Sequence, residues 1–322
     1  MYTYWQIFKQ ALKIAYKNPS LWFFALFTTF LGSAGGLELL LSCYGFGGQS
    51  LIFSFWQGLL EGGLFTPSGL RSAAKILLAN PFYLITIAII FLVVLGITIL
   101  FIWLGTVSQT ALIGKSMSIT RNKNISFSDG FRWGVLKFWP VLALNAISQF
   151  IVWLLFFILS SLFLINPSNS LVVTMFIVDL VVTTVFFTIL LVISFIAKYA
   201  ICGVVLRNWA FKDSVKASWE IFLKNWLVAV ELAAILFFIN LVVNSVLTFV
   251  MSLIFLYILK LYFGFTFGLA LVFLILVSIF AIIQLMLVIF HWAAWAIAFE
   301  ILAAKKNALL SITQRIFRFK SA

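Results

Sequence analysis

The sequence predicts an all-α membrane protein of about six transmembrane helices with interfacial elbow helices between them. Three observations predict it. The 322 residues are 65% hydrophobic and 9% charged, with a mean hydropathy of +1.21, whereas a soluble domain carries about 25% charged residues. That charge is too sparse to coat a water-facing surface. Uncharged apolar runs repeatedly exceed the roughly 20 residues a helix needs to cross a bilayer. Strand alternation is absent, which argues against a barrel.

The chain opens on a basic amphipathic segment. In residues 4–17, Trp5, Phe8, Leu12 and Ala15 share one helical face, while Lys9, Lys13 and Lys17 recur every four residues on another. That division marks a helix lying in the membrane interface. It reads as a retained helix, being too long and too amphipathic for the leader of a signal peptide. Lys17 and Asn18 then end it, and Pro19 suits the first turn of a new helix. The pair forms an elbow from which the chain turns into lipid.

The first span is expected over 20–42. Three glycines and Glu38 late in it leave two readings open, a short helix ending near Gly32 or a full crossing. An excursion over 43–80 contains an apolar piece, 51–60, expected on the outer interface, and a weak elbow, "LRSAAKILLANPF". The second span follows at 81–107. "SFSDGFRWGVLKFWP" (126–140) supplies another elbow, with Ser126 or Ser128 as its cap and Arg132 and Lys137 as its basic groups.

The third and fourth spans, 138–164 and 171–197, are separated by the breaker Asn166-Pro167-Ser168-Asn169. A further elbow occupies 210–224. There Phe211, Val215, Trp219 and Phe222 form a stripe opposite Lys212, Lys216, Glu220 and Lys224, and "KNW" ends it as "KNP" ended the first. The last two spans are expected at 226–257 and 264–292. Residues 305–322 form a basic amphipathic tail, with Arg315 and Arg318 facing an anionic leaflet.

A second recurrence precedes the elbows. Ser108, Ala111 and Gly114 are spaced by three, as are Ala197, Ala200 and Gly203; Ala293 and Ala296 continue the pattern, with Phe299 in place of glycine. Small residues at such spacing let helices approach closely. The chain therefore reads as one membrane domain, 1–304, of three weak repeats (about 1–125, 126–208 and 209–304), each an elbow, an outgoing span and a returning span.

With both termini in the cytoplasm, all of the 21 Lys and Arg residues except Arg71, Lys75 and Lys260 fall on the cytoplasmic side, as the positive-inside rule requires. This asymmetry fixes the expected orientation, with the elbows and the tail on the cytoplasmic leaflet. Lys9, Lys13, Lys17, Lys212 and Lys216 are the expected contacts for anionic headgroups, and a membrane-protein partner is possible. The charge pattern implies no nucleic-acid partner.

Catalytic chemistry is hard to assemble. One histidine, His291, and two cysteines expected on opposite membrane faces make no zinc set or triad. Neither a nucleophile elbow nor a phosphate loop is present. His291 reads as an aromatic-belt residue. No cofactor is expected. Polar groups within lipid are costly and mark candidate sites: Asp179 in the fourth span, Asn145 and Gln149 in the third, and Asn240 and Asn244 in the fifth. The amide pairs, with Gln284, suit interhelical hydrogen bonds, and Glu231 and Glu300 suit interfacial pairing with nearby Lys. None of the five prolines breaks a span in mid-membrane, which argues against a transporter built on broken helices.

"ISFSDGFRWGVLKFWPVLALNAI" and "YAICGVVLRNWAFKDSVKASWEIFLKNWLVAVELAAI" resemble a broad family of bacterial six-helix membrane proteins. That family includes the membrane domain attached to some glycerophosphoryl diester phosphodiesterases. The likeness covers about 1–42 and 81–304, as spacing more than as fixed residues. In that family the phosphodiesterase chemistry belongs to a separate soluble barrel rich in His and Glu, which this sequence lacks, so the resemblance transfers no catalytic residue. The expectation is a non-catalytic interaction, scaffold or lipid-associated protein, with a transporter or channel for a small or lipid-like solute as the alternative.

Overall fold

The computed structural model describes residues 4–30, 71, 81–123, 126–165, 172–260 and 266–304. Among them the regular structure is entirely α-helical: α1 (Tyr4–Lys17), α2 (Ser20–Phe30), α3 (Pro81–Thr120), α4 (Phe127–Leu136), α5 (Phe138–Ile165), α6 (Val172–Arg207), α7 (Phe211–Lys260) and α8 (Thr266–Ala303). Five of these, α3 and α5 to α8, are long and apolar enough to cross a membrane. The protein is a multi-pass membrane protein.

The first expected span, 20–42, is not among them. α2 has 11 residues, a rise of about 16 Å, roughly half a hydrocarbon core. The rest of the expected run, 31–42, lies outside the described residues, as do the outer interfacial piece and the 305–322 tail.

The three strong elbows fall at the expected places; the weak one falls largely outside the described residues. α1 stops at Lys17, and α2 starts after Pro19 with hydrogen bonds from Leu21 N–H to Asn18 O and from Trp22 N–H to Pro19 O. α4 gives way to α5 at Lys137, whose backbone is non-helical. α7 is broken at Asn225 (φ −135°, ψ 29°), separating its amphipathic start from its span. A helix end leaves carbonyls without N–H partners. Asn18 and Asn225 answer this identically: each side-chain amide donates to the carbonyl four residues back, Ile14 at 3.0 Å and Ile221 at 3.1 Å.

The long helices α3 and α6 also end alike, each followed by an asparagine in the left-handed region, Asn122 (φ 55°) and Asn208 (φ 57°). At the first, Lys123 N–H reaches Ser118 O and Asn122 N–H reaches Ile119 O, the bond pair of a Schellman cap. Asparagine tolerates this conformation better than most residues.

Contacts divide the chain into two units. The first draws on Met1–Leu31, Gly105–Ser148 and Phe195–Ala322; the second on Gly32–Leu104 and Gln149–Ser194. In the second, Val152 and Leu190 are buried with Leu155 against them, while α3 from Ile85 to Leu100 presents apolar side chains outward, as lipid-facing residues would.

The first unit holds most of the buried residues, concentrated at the C-terminal ends of the returning helices: Val107 to Met117 of α3, Phe195 to Val205 of α6 and Ile289 to Phe299 of α8. The expected small residues explain the tightness. The Trp133 ring lies where a Cβ on Gly114 would be 3.0 Å from it, and a Cβ on Gly203 would overlap the Trp209 ring.

Candidate functional site

The elbows pack in cyclic order, each against the hairpin before it. α4 lies on α3 and α2: Gly134 abuts the Val107 backbone, Trp133 covers Gly114, and Phe127 stacks on Phe24 at 4.7 Å. The start of α7 lies on α6: Ser214 Oγ donates to Ala200 O at 2.6 Å, and Phe222 meets Phe195 at 5.9 Å. α1 closes the ring by packing on α8, with Phe8 against Phe290 at 5.9 Å and Tyr4 Oη donating to Glu231 Oε2 on α7 at 2.7 Å.

Each elbow presents three faces. The buried face is built on small residues four apart: Ala11 and Ala15, Gly130 and Gly134, Ser214 and Ser218. A second face is exposed and apolar, with Trp5, Leu12 and Tyr16 on α1, Val135 and Leu136 on α4, and Val215, Trp219 and Leu223 on α7. A third is exposed and charged: wholly basic on α1, with Lys9, Lys13 and Lys17; mixed on α7, with Lys212, Lys216 and Lys224 beside Asp213 and Glu220; and on α4 only Arg132 with Asp129.

The apolar stripe expected on α1 divides between two faces. Trp5 is 72% exposed, whereas Tyr4, Ile7, Ala11 and Ile14 face the protein, with Ala15. In α7 likewise, Val215 and Trp219 point outward and only Phe222 of the expected stripe is buried. Periodicity found the apolar faces but did not separate lipid contact from protein contact. The i,i+4 small pairs were the signal that separates them.

The polar groups of the spans pair between helices. Asn145 donates to Gln109 on α3 at 2.6 Å. Asn244 donates to Asn240 at 2.7 Å and accepts from Gln284 of α8, linking α7 to α8. Gln149 is exposed on α5 and does not join Asn145. Asp179 belongs to α6, and its side chain lies outside the described residues, as do Arg315 and Arg318. Glu300 pairs with Arg121 at 2.6 Å rather than with a lysine, and Glu231 meets Tyr4.

His291 is half-buried. Its neighbours Trp292 and Trp295 are buried, both ring centroids lie 6.4 Å from the imidazole, and its Nε2 is sealed from solvent. Lys115 was not singled out from the sequence, yet it is 7% exposed and donates to Ser20 Oγ at 2.9 Å, beside the Phe127 ring. It ties α3 to the first turn of α2.

Among the described residues no His, Cys, Asp or Glu group is arranged to hold a metal, and Cys202 is a buried free thiol. Comparison with protein-family models, curated proteins and solved structures finds no match. The ring of elbows is thus the principal candidate site, a surface that sets cations beside apolar side chains.

Proposed function

We propose that this integral membrane protein is a non-catalytic, lipid-associated scaffold of a bacterial cytoplasmic membrane. Its three elbows lie on one leaflet, the cytoplasmic one, and bind anionic headgroups there. The observation that carries the reading is the adjacency, on α1 and on the start of α7, of exposed lysines and an exposed apolar face. A helix of that kind places its apolar side at the acyl boundary and its cations among headgroups, each cation contributing about 1 kcal/mol at an anionic surface. The resemblance to the bacterial six-helix family favours the same reading, since that family's phosphodiesterase chemistry belongs to a soluble domain.

The test measures lipid preference around the reconstituted protein with spin-labelled phosphatidylglycerol and phosphatidylcholine. The wild type should prefer the anionic lipid several-fold, and Lys9→Gln/Lys13→Gln/Lys212→Gln/Lys216→Gln should bring the ratio close to unity. Equal preference in both proteins would sink the proposal. A transporter is the competing reading. The ladder of Asn240, Asn244 and Gln284 speaks against it, because those amides engage one another. A liposome solute flux abolished by Asp179→Asn would reinstate it.

A further inference from the structure

Where α6 meets α8, four polar atoms are sealed from solvent without a hydrogen-bond partner among the described residues: Tyr199 Oη, His291 Nε2, Trp292 Nε1 and Trp295 Nε1. Tyr199 and Trp295 are 0% exposed and Trp292 is 2% exposed. They form one cluster. The Tyr199 and Trp295 rings meet edge to face at 5.5 Å, and His291 touches both tryptophans.

The chemistry of the set is one-sided. Indole N–H groups donate and cannot accept, so two tryptophans cannot satisfy each other. Buried polar groups in native proteins are nearly always paired, and a cluster of exceptions calls for a partner such as a water or a bound group. That partner must bring acceptors. Its charge is indicated by the cations at the rim: Lys198 Nζ sits 5.0 Å from the Trp295 ring centroid, and Arg207 lies 5.9 Å from that of Trp209, which packs on Phe299. The carboxylate of α8, Glu300, gives Oε1 to Arg121, while its Oε2 is buried without a hydrogen-bond partner among the described residues. The cluster also sits close to the end of α6 at Arg207, eight residues beyond Tyr199, about 12 Å by helical rise. That is near headgroup depth rather than mid-bilayer.

The geometry points to a donor site between α6 and α8 for a phosphate group, that of an anionic phospholipid held by Tyr199, Trp292 and Trp295 beneath Lys198. This rests on the lipid-associated reading but concerns one tightly held molecule, not the lipids that surround the elbows.

The experiment uses the full chain in neutral detergent. Native mass spectrometry reads retained lipid, and thermal unfolding is followed with added phosphatidylglycerol, phosphatidylcholine or inorganic phosphate. The wild type should retain an anionic phospholipid through delipidation. Tyr199→Phe, which keeps its ring, and Trp295→Phe, which exchanges the indole for a smaller ring, remove one donor each and should cut retention about tenfold. The elbow lysine variant should leave retention unchanged, which separates this test from the previous one. Stabilisation by inorganic phosphate alone would keep the donor site and make a free anion its occupant. Retention unaffected by both variants, equal retention of phosphatidylcholine, or no effect of any phosphate source would overturn the proposal. The sign of Tyr199→Phe stability is a second readout. An empty site makes the variant melt higher than wild type, because an unpaired buried hydroxyl is gone; a filled site makes it melt lower. Should Tyr199→Phe fail to fold, Trp295→Phe carries the same comparison.

Discussion

The side-chain amide of Asn225 donates to the Ile221 carbonyl across 3.1 Å, at the one residue of α7 whose backbone leaves the helix. The bond gives the carbonyl a partner that a straight helix would have supplied from the main chain. Asn225→Leu removes the donor and favours a continuous helix. Spin labels at Lys212 and Phe238 should report a longer distance in the variant, and stability should fall by about 1 kcal/mol. Asn18→Leu should unbend the α1–α2 elbow less, since Pro19 still obstructs helical continuation.

The elbow contacts depend on absent side chains. A Cβ on Gly134 would overlap the Val107 carbonyl, backbone against backbone, while a Cβ on Gly96 would meet nothing within 4 Å. Gly134→Ala should lower stability by about 1–3 kcal/mol, against a neutral or slightly favourable Gly96→Ala in the same helical setting. Thermal melts in one detergent check both.

These two predictions mark what the sequence makes legible. The positions of the elbows were readable because Lys-Asn-Pro, Lys-Asn-Trp and Lys-Phe-Trp-Pro each interrupt an otherwise helical pattern. The close packing at Gly114 and Gly203 was readable as small-residue spacing. The orientation of α1 was not, since Trp5 and Ile7 are equally apolar and composition cannot say which meets lipid and which meets protein. The buried Lys115 and the Tyr199–Trp295 cluster were hidden for a related reason. Each draws its meaning from residues distant in sequence, Ser20 in one case and the α8 tryptophans in the other.

Tyr4 anchors α1 through Glu231. Tyr4→Phe leaves a carboxylate short of a donor, at a cost of about 1–3 kcal/mol. Limited proteolysis should release fragments cut near Lys9 and Lys13 sooner than in wild type. Unchanged cleavage rates would show that the apolar α1–α8 contact holds the helix alone.

The amide ladder of α7 and α8 should be structural. Gln284→Leu deletes the link to Asn244 and should cost about 0.6 kcal/mol, the average for such bonds within a membrane. A larger loss, accompanied by altered solute permeability of proteoliposomes, would instead assign the ladder to a conduction path.

The cyclic order of packing has a consequence for biosynthesis. α4 and the start of α7 emerge from the ribosome after the hairpins that receive them, so each docks as soon as it is made. α1 is translated before its partner α8, so it cannot dock until more than two hundred and fifty further residues have been made. α2, which also packs on α8, shares that delay, and the first hairpin therefore gains its last neighbour late.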